Sequence, residues 1–384
     1  MRDAPVPEAD ALALSARLVT RIRQAVAAAG GRLGFDAYMQ LALYAPGLGY
    51  YVNGLRKFGA EGDFVTAPER SPLFARALAR QVAQVLQAVP GGEVLEFGPG
   101  SGALAADLLA ELERLGCVPS RYLMLELSAE LQQRQHEAIA RRVPQLAGRV
   151  QWLTQLPERV CGVVIANEVL DAMPVRRFRA TAGGAAELCV ALEDDALCLQ
   201  AQPVRDVQVA QRLAGLGLPP GYETELNLTA EAWLRTLAER LVRGAALLID
   251  YGYPSAEYYH PQRSAGTLRC YYRQQAHDDA LRWPGLQDIT AHVDFSAMAQ
   301  AACEAGLTVA GFANQAQFLI NCGLADLLEA VDPTSEDYLD LAVQARQLLL
   351  PQTMGEAFKV LALTRDLGDV ALRGFREGDR RHAL

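Results

Sequence analysis

The sequence predicts an α/β protein: a doubly wound, Rossmann-like, mostly parallel seven-stranded sheet with an N-terminal helical cap and inserted segments on the substrate side. Two observations carry this. From Gly92 onward, short runs rich in Val, Ile and Leu alternate with stretches of 3.6-residue apolar period, as parallel strands joined by crossover helices do. The first of those strands runs into a glycine turn, Gly98-Pro-Gly-Ser-Gly102, that opens an amphipathic helix. The composition, 51% hydrophobic and 21% charged, is that of a core-forming chain.

Residues 9–29 read as an amphipathic helix ended by Gly30-Gly31. Residues 38–51 are rich in aromatics and punctuated by Pro46, Gly47 and Gly49. A loop over 54–72 precedes a second helical pattern at 73–89. Strands are expected at 93–97, 121–126, 149–153, 160–166, 245–251, 307–313 and 358–364, and helices at 101–115, 128–142, 228–242 and 294–305. Hairpin-like runs and a helix near 205–215 interrupt the alternation between 175 and 226, and a tyrosine-bearing insertion spans 253–290. The expected domains are a cap and lid loop over 1–91, an α/β domain over 92–366 carrying both insertions, and a tail over 367–384.

With 36 Lys plus Arg against 45 Asp plus Glu, the net charge is −9, which disfavours a nucleic acid or an anionic membrane as partner. No apolar run of the length needed to cross a bilayer is present, so no membrane insertion is expected. The first ten residues hold prolines and acids where a secretion signal needs a basic end and an apolar run. Seven scattered cysteines without a Cys-x-x-Cys pattern read as reduced thiols, with no metal site. Both features suggest a cytoplasmic protein.

Glycines at 98, 100 and 102 allow a sharp turn and remove the Cβ atoms that would keep a ligand from the strand end. The G-x-G-x-G spacing satisfies neither the dinucleotide G-x-G-x-x-G fingerprint nor a P-loop, which needs Lys-Ser/Thr after its last glycine. Glu126, at the end of the next strand, is placed to accept hydrogen bonds from both hydroxyls of a ribose. Glu96, inside the first strand, is costly there unless partnered, for example by a cationic group of the ligand.

The glycine turn with its following acid resembles motif I of class I S-adenosyl-L-methionine-dependent methyltransferases. Further words resemble one family among them: Phe35-Asp-Ala-Tyr-Met39 with residues 44–51, Gly62-Asp-Phe-Val-Thr-Ala-Pro-Glu69, Ala166-Asn-Glu-Val-Leu-Asp-Ala-Met-Pro174, Asp250-Tyr-Gly252, Asp288-Ile-Thr-Ala-His-Val-Asp-Phe295 and Met354-Gly-Glu-Ala-Phe-Lys359. This is the MidA-type methyltransferase family, whose mitochondrial members are the NDUFAF7 complex I assembly factors. The resemblance implies S-adenosyl-L-methionine as cofactor. It also implies a protein substrate, methylated on an arginine side chain, with a complex I subunit the acceptor of the mitochondrial members. A small-molecule acceptor, another side chain, or a non-catalytic assembly role remain the alternatives. By resemblance the cofactor is held by Thr66, Pro68, Glu96, Gly98, Gly100, Ser101, Gly102, Glu126, Leu127 and Asn167. The segment 62–69, with Glu69 beside Thr66 and Pro68, would form part of a lid over its methionine end.

Asn167, Glu168 and Asp171 follow the hydrophobic strand 162–166, so they emerge at its carboxyl end, where such folds bind ligands. Carboxylates that clamp two guanidinium nitrogens orient the third and hold charge away from it, a role assigned first to Glu168 and second to Asp171. Capping of a following helix is the competing reading for both. His292 is a candidate to accept the released proton or to orient the arginine, with loop scaffolding as the alternative. Asp294 reads as the cap of the helix beginning at Phe295. Glu223 and Glu225 read first as a solvated acid pair before a helix capped by Asn227 or Thr229, and second as part of an acidic pocket. Tyr251, Tyr253, Tyr258, Tyr259, Tyr271 and Tyr272, with Arg269 and Arg273, suggest a peptide-binding groove rather than a nucleic-acid stacking face.

Overall fold

The computed structural model describes residues 6–54 and 66–384. The described residues form two compact units, one of residues 66–170, 233–254 and 295–384, the other of residues 6–54, 171–232 and 255–294.

The first unit holds all seven expected strands: β1 (Glu93–Phe97), β2 (Tyr122–Leu125), β3 (Val150–Leu153), β4 (Val160–Asn167), β5 (Leu241–Tyr253), β6 (Thr308–Asn314) and β7 (Phe358–Arg365). Their order across the sheet is β6-β7-β5-β4-β1-β2-β3. Only β7 runs antiparallel, to both β5 and β6, while β5-β4, β4-β1, β1-β2 and β2-β3 are parallel. The order reverses at β1 and β4, and such a switch point opens a crevice at the carboxyl ends of the strands. Every residue of β1 is buried, which explains why its sequence shows no polar alternation.

Two glycines let the middle strands approach closely. A Cβ on Gly162 would lie 2.1 Å from the Glu93 carbonyl oxygen, and one on Gly244 would lie 1.9 Å from that of Gly162. Their φ angles of +137° and +135° belong to glycine as well. Helices Pro72–Ala88 and Ala103–Arg114 bury Leu78, Val82, Leu108 and Leu112 in one core with Val163, Ile165, Leu247, Ile249 and Val360. Each such side chain stabilises the fold by about 1.5–3 kcal/mol.

This packing moves the boundaries. Helix Pro72–Ala88 belongs to the sheet's core rather than to a cap ending at 91, so the described residues divide between 54 and 66. The segment 367–384 is not a loose tail. Arg380 donates its backbone N–H to the Phe312 carbonyl of β6 at 2.6 Å, and Phe375 packs on Phe318 with ring centroids 5.4 Å apart. Helices Gln315–Asn321, Leu324–Glu329 and Glu336–Leu349 fill the stretch between β6 and β7, where the sequence reading set no element.

The second unit gathers the lead-in and both insertions. Strands Leu33–Gly34, Gly184–Glu193, Arg176–Thr181 and Glu223–Leu226 pair in that order, with Ala196–Pro203 along the same central strand, and all pairs are antiparallel. A three-stranded antiparallel sheet adds Gln275–His277, Arg269–Tyr272 and Asp288–Thr290. Leu18 and Ile22 of helix Ala9–Ala28 and Tyr38 and Met39 of helix Phe35–Tyr44 bury against Val190 and Ile289. The buried Tyr38 hydroxyl donates to the Ala280 carbonyl at 2.6 Å.

Candidate active site

The glycine turn sits at the carboxyl end of β1. Gly98, Gly100 and Gly102 have φ angles of +57°, +53° and +85°, so all three occupy the left-handed region that side chains disfavour. Gly102 has a second constraint, because a Cβ there would come within 3.0 Å of the Gln135 Cα. The Gly102 N–H donates to the Pro99 carbonyl at 2.8 Å and closes the turn ahead of helix Ala103–Arg114. The Ser101 hydroxyl donates to the Glu69 carboxylate, which anchors the short helix Ala67–Arg70 to the turn. Of the expected lid segment only 66–69 lie within the described residues. Thr66 precedes that helix and Pro68 lies in its first turn.

Glu126 stands one residue past β2, with its residue 9% exposed. Its Oε1 accepts from the Ser128 N–H at 2.8 Å and its Oε2 from the Gln135 side-chain amide at 3.1 Å. A carboxylate carries about four acceptor sites, and these two bonds fix the orientation of the group. Leu127 is 67% exposed, an apolar surface suited to an aromatic ring at the end of the same strand. Gln135 itself was not visible as a site residue in the sequence, where it is one of several polar residues on a charged helix.

Glu96 is buried and has a partner from the protein: Tyr122 donates its hydroxyl to Oε2 at 2.7 Å. Burial, only partly offset by that hydrogen bond and reinforced by the nearby Glu126 charge, pushes the Glu96 carboxyl up to about 7. The folded protein therefore binds this proton more tightly than the unfolded chain, and stability falls as pH rises from about 4.5 to about 7. Glu96→Gln keeps an acceptor for Tyr122 without the charge. Its melting temperature should exceed that of the unsubstituted protein at pH 8, by about 1–3 kcal/mol in stability, and match it near pH 5. Parallel melting curves at both pH values would refute this.

At the end of β4 the backbone of Glu168 turns left-handed, with φ +54°, a strained conformation for a residue with a side chain. Two bonds impose it: the Glu168 N–H donates to the Ile249 carbonyl at 2.9 Å, and the Leu170 N–H donates to Asp250 Oδ2 at 2.9 Å. Asp250 is fully buried, and its other oxygen accepts from the Tyr251 N–H at 2.9 Å. Asn167 donates its side-chain amide to Glu168 Oε1 at 3.2 Å. No helix follows Glu168 or Asp171, because the chain continues into strand Arg176–Thr181, so helix capping is excluded for both. Asp250 is a positioning carboxylate. Its signal in the sequence was an acid at the end of an apolar strand.

Asp171 and His292 belong to the second unit. The Asp171 carbonyl accepts from the Ala291 N–H at 3.0 Å, which brings the His292 segment alongside. The His292 N–H donates to the Thr267 hydroxyl at 3.1 Å. Tyr44 and Tyr51 stack nearby at 5.4 Å, and Tyr51 donates to the buried Asp288 at 2.9 Å. Burial first, then the charges of Asp288 and Asp171, hold the Tyr44 phenol well above its ordinary range. Asp294 accepts from the Ser255 hydroxyl at 2.8 Å.

Two expectations are corrected here. Glu223 and Glu225 lie in a strand and are not a solvated pair. Glu223 bonds Arg177 at 3.1 Å and Arg179 at 2.6 Å, while the buried Glu225 accepts from the Thr267 N–H at 2.8 Å. Asn227 does cap the following helix through the Ala230 N–H at 2.9 Å. Of the tyrosines expected to line a peptide groove, Tyr258 and Tyr272 are buried core residues and cannot line one, while Tyr251 and Tyr253 belong to the sheet unit. Their spacing in the sequence did not reveal that they sit on different elements.

Comparison with known proteins agrees with this geometry. Residues 77–313 match the family described as "Putative S-adenosyl-L-methionine-dependent methyltransferase". The zebrafish mitochondrial protein arginine methyltransferase NDUFAF7 is 30% identical over 87% of this chain and 84% of its own, and its human counterpart is 28% identical over 87% and 80%. A Burkholderia thailandensis protein crystallised with S-adenosyl-homocysteine bound is 48% identical over the whole of both chains, with a TM-score of 0.97. A native crystal structure of an uncharacterized protein from the same organism, also 48% identical over the whole of both chains, gives a TM-score of 0.94. The left-handed glycine turn and the oriented acid after β2 suit this cofactor, and the seven strands take the order such a domain needs. The chain belongs to this family of S-adenosyl-L-methionine-dependent methyltransferases.

Proposed function

We propose that this methyltransferase methylates an arginine side chain of a protein, with a subunit of a complex I-type respiratory assembly as the acceptor. The observation that carries the reading is Glu168, a carboxylate at the carboxyl end of β4 whose strained backbone is fixed from β5. The names of the relatives support an arginine acceptor. The cofactor supplies a methyl group on a positively charged sulfonium. Glu96, Gly98, Gly100, Ser101, Gly102, Glu126, Leu127 and Asn167 would hold it, with Thr66 and Pro68 toward the methionine end.

Guanidinium stays protonated in proteins, so transfer to it depends on orientation and on keeping positive charge away from the attacking nitrogen. Glu168 serves that role, Asp171 assists it, and His292 accepts the released proton. We place the protein in the cytoplasm, which suits its seven free thiols, whereas the relatives' names place those proteins in mitochondria.

Incubation with methyl-labelled cofactor and cell extract, followed by acid hydrolysis of the protein fraction, tests the acceptor. Label in methylated arginine is expected. Label in small molecules or in another side chain would replace the acceptor, and no label despite intact cofactor binding would leave a binding role only.

Glu126→Ala should weaken S-adenosyl-homocysteine binding by about 1.5–3 kcal/mol, the scale of hydrogen bonds to a charged group. Unchanged affinity in calorimetry would separate this acid from the ribose.

A further inference from the structure

Gln135 lies on helix Ala129–Arg142 and is completely buried. Its side-chain amide makes three hydrogen bonds to three different elements. Nε2 donates to the Gly100 carbonyl at 2.8 Å and to Glu126 Oε2 at 3.1 Å. Oε1 accepts from the indole N–H of Trp152 on β3 at 2.8 Å. An indole N–H only donates, so the amide oxygen must face Trp152 and the NH₂ group must face the glycine turn and the acid. Trp152 is in turn fixed by stacking on His136, with ring centroids 3.5 Å apart. Gly102 closes over the same residue, since any Cβ there would press on the Gln135 backbone.

We infer that Gln135 is a positioning residue of the cofactor site, an amide that sets the Glu126 carboxylate and the Gly100 carbonyl in one fixed relation for ribose recognition. The inference rests on the assignment of Glu126 to the ribose. It adds that the acid recognises the sugar only because Gln135, locked by Trp152, occupies one of its oxygens. A buried amide with both ends bonded is a strong constraint, because turning it over would set its oxygen against a carboxylate and leave the Gly100 carbonyl unbonded.

The test compares S-adenosyl-homocysteine with its 2′-deoxy analogue by calorimetry on the full chain. The protein should prefer the ribose ligand by about tenfold or more, and Glu126→Ala should bring the ratio close to one. Gln135→Leu should bring it close to one as well, and Glu126→Ala in the Gln135→Leu background should cost little more, because both changes remove one interaction. A Gln135→Leu protein that binds both ligands more weakly at an unchanged ratio would show a purely structural role and overturn the inference. Losses that multiply in the double variant would do the same. A ratio unaffected by Glu126→Ala would instead overturn the ribose assignment itself. If Gln135→Leu does not fold, Trp152→Phe retains the aromatic packing and removes only the N–H lock. Its ratio should fall by a smaller factor, and an unchanged ratio overturns the inference.

Discussion

Gly100→Val is expected to abolish measurable binding of S-adenosyl-homocysteine while the protein still folds. The Gly100 φ of +53° places a β-branched residue in a region it adopts only under strain of about 1–3 kcal/mol. The turn cannot relax freely, because Gln135 holds the Gly100 carbonyl at 2.8 Å and Gly98 and Gly102 on either side are also left-handed. Relief must come from moving the backbone away from its present path, and the cradle for the ligand is lost with it. Global stability of about 5–15 kcal/mol can absorb the strain, since the core under Pro72–Ala88 and the sheet is untouched. Calorimetry and melting curves on one preparation check both halves. Binding within about tenfold of the unsubstituted protein would remove the turn from the site.

Glu168→Gln is expected to lower the methylation rate by about 10² or more while leaving cofactor affinity nearly unchanged, on the scale of removing one well-placed electrostatic partner. Glutamine keeps the size of the side chain and a contact with Asn167, so the backbone bonds from Glu168 and Leu170 to β5 should persist. What disappears is the negative charge facing a cationic acceptor. Asp171→Asn should cost less if Asp171 only supports the pocket, and as much if both carboxylates grip the same group. The assay is transfer of label to an arginine-containing acceptor at saturating cofactor. A near-normal rate would shift the clamp away from Glu168. The buried, already bonded Glu225 is poorly placed to replace it, which leaves Asp171 and His292 as the residues to test next.

Why some features were legible and others were not follows from the range of the forces involved. The central sheet strands were readable because they are buried along most of their length and so carry mainly apolar runs, as at Val160–Asn167, whose middle is buried throughout. Glu223 and Glu225 were misread because strand pairing to Arg176–Thr181, distant in sequence, turned an apparent pre-helical acid pair into partners of Arg177 and Thr267. Tyr258 and Tyr272 were misread as groove residues for the same reason, since their burial depends on which element packs above them.

The sequence by itself determined the seven strands, the glycine turn and the acid just past β2, because periodicity, glycine and the reach of one strand are local properties. Only the tertiary structure decided that Tyr122 is the partner of Glu96, that Asp250 shapes the backbone at Glu168, and that Gln135 ties Gly100, Glu126 and Trp152 together. It also decided that residues 6–54 join 171–232 and 255–294 in one unit. The reason is physical: a buried polar group must find its hydrogen bonds wherever folding brings donors and acceptors together, and those partners carry no fixed spacing along the chain.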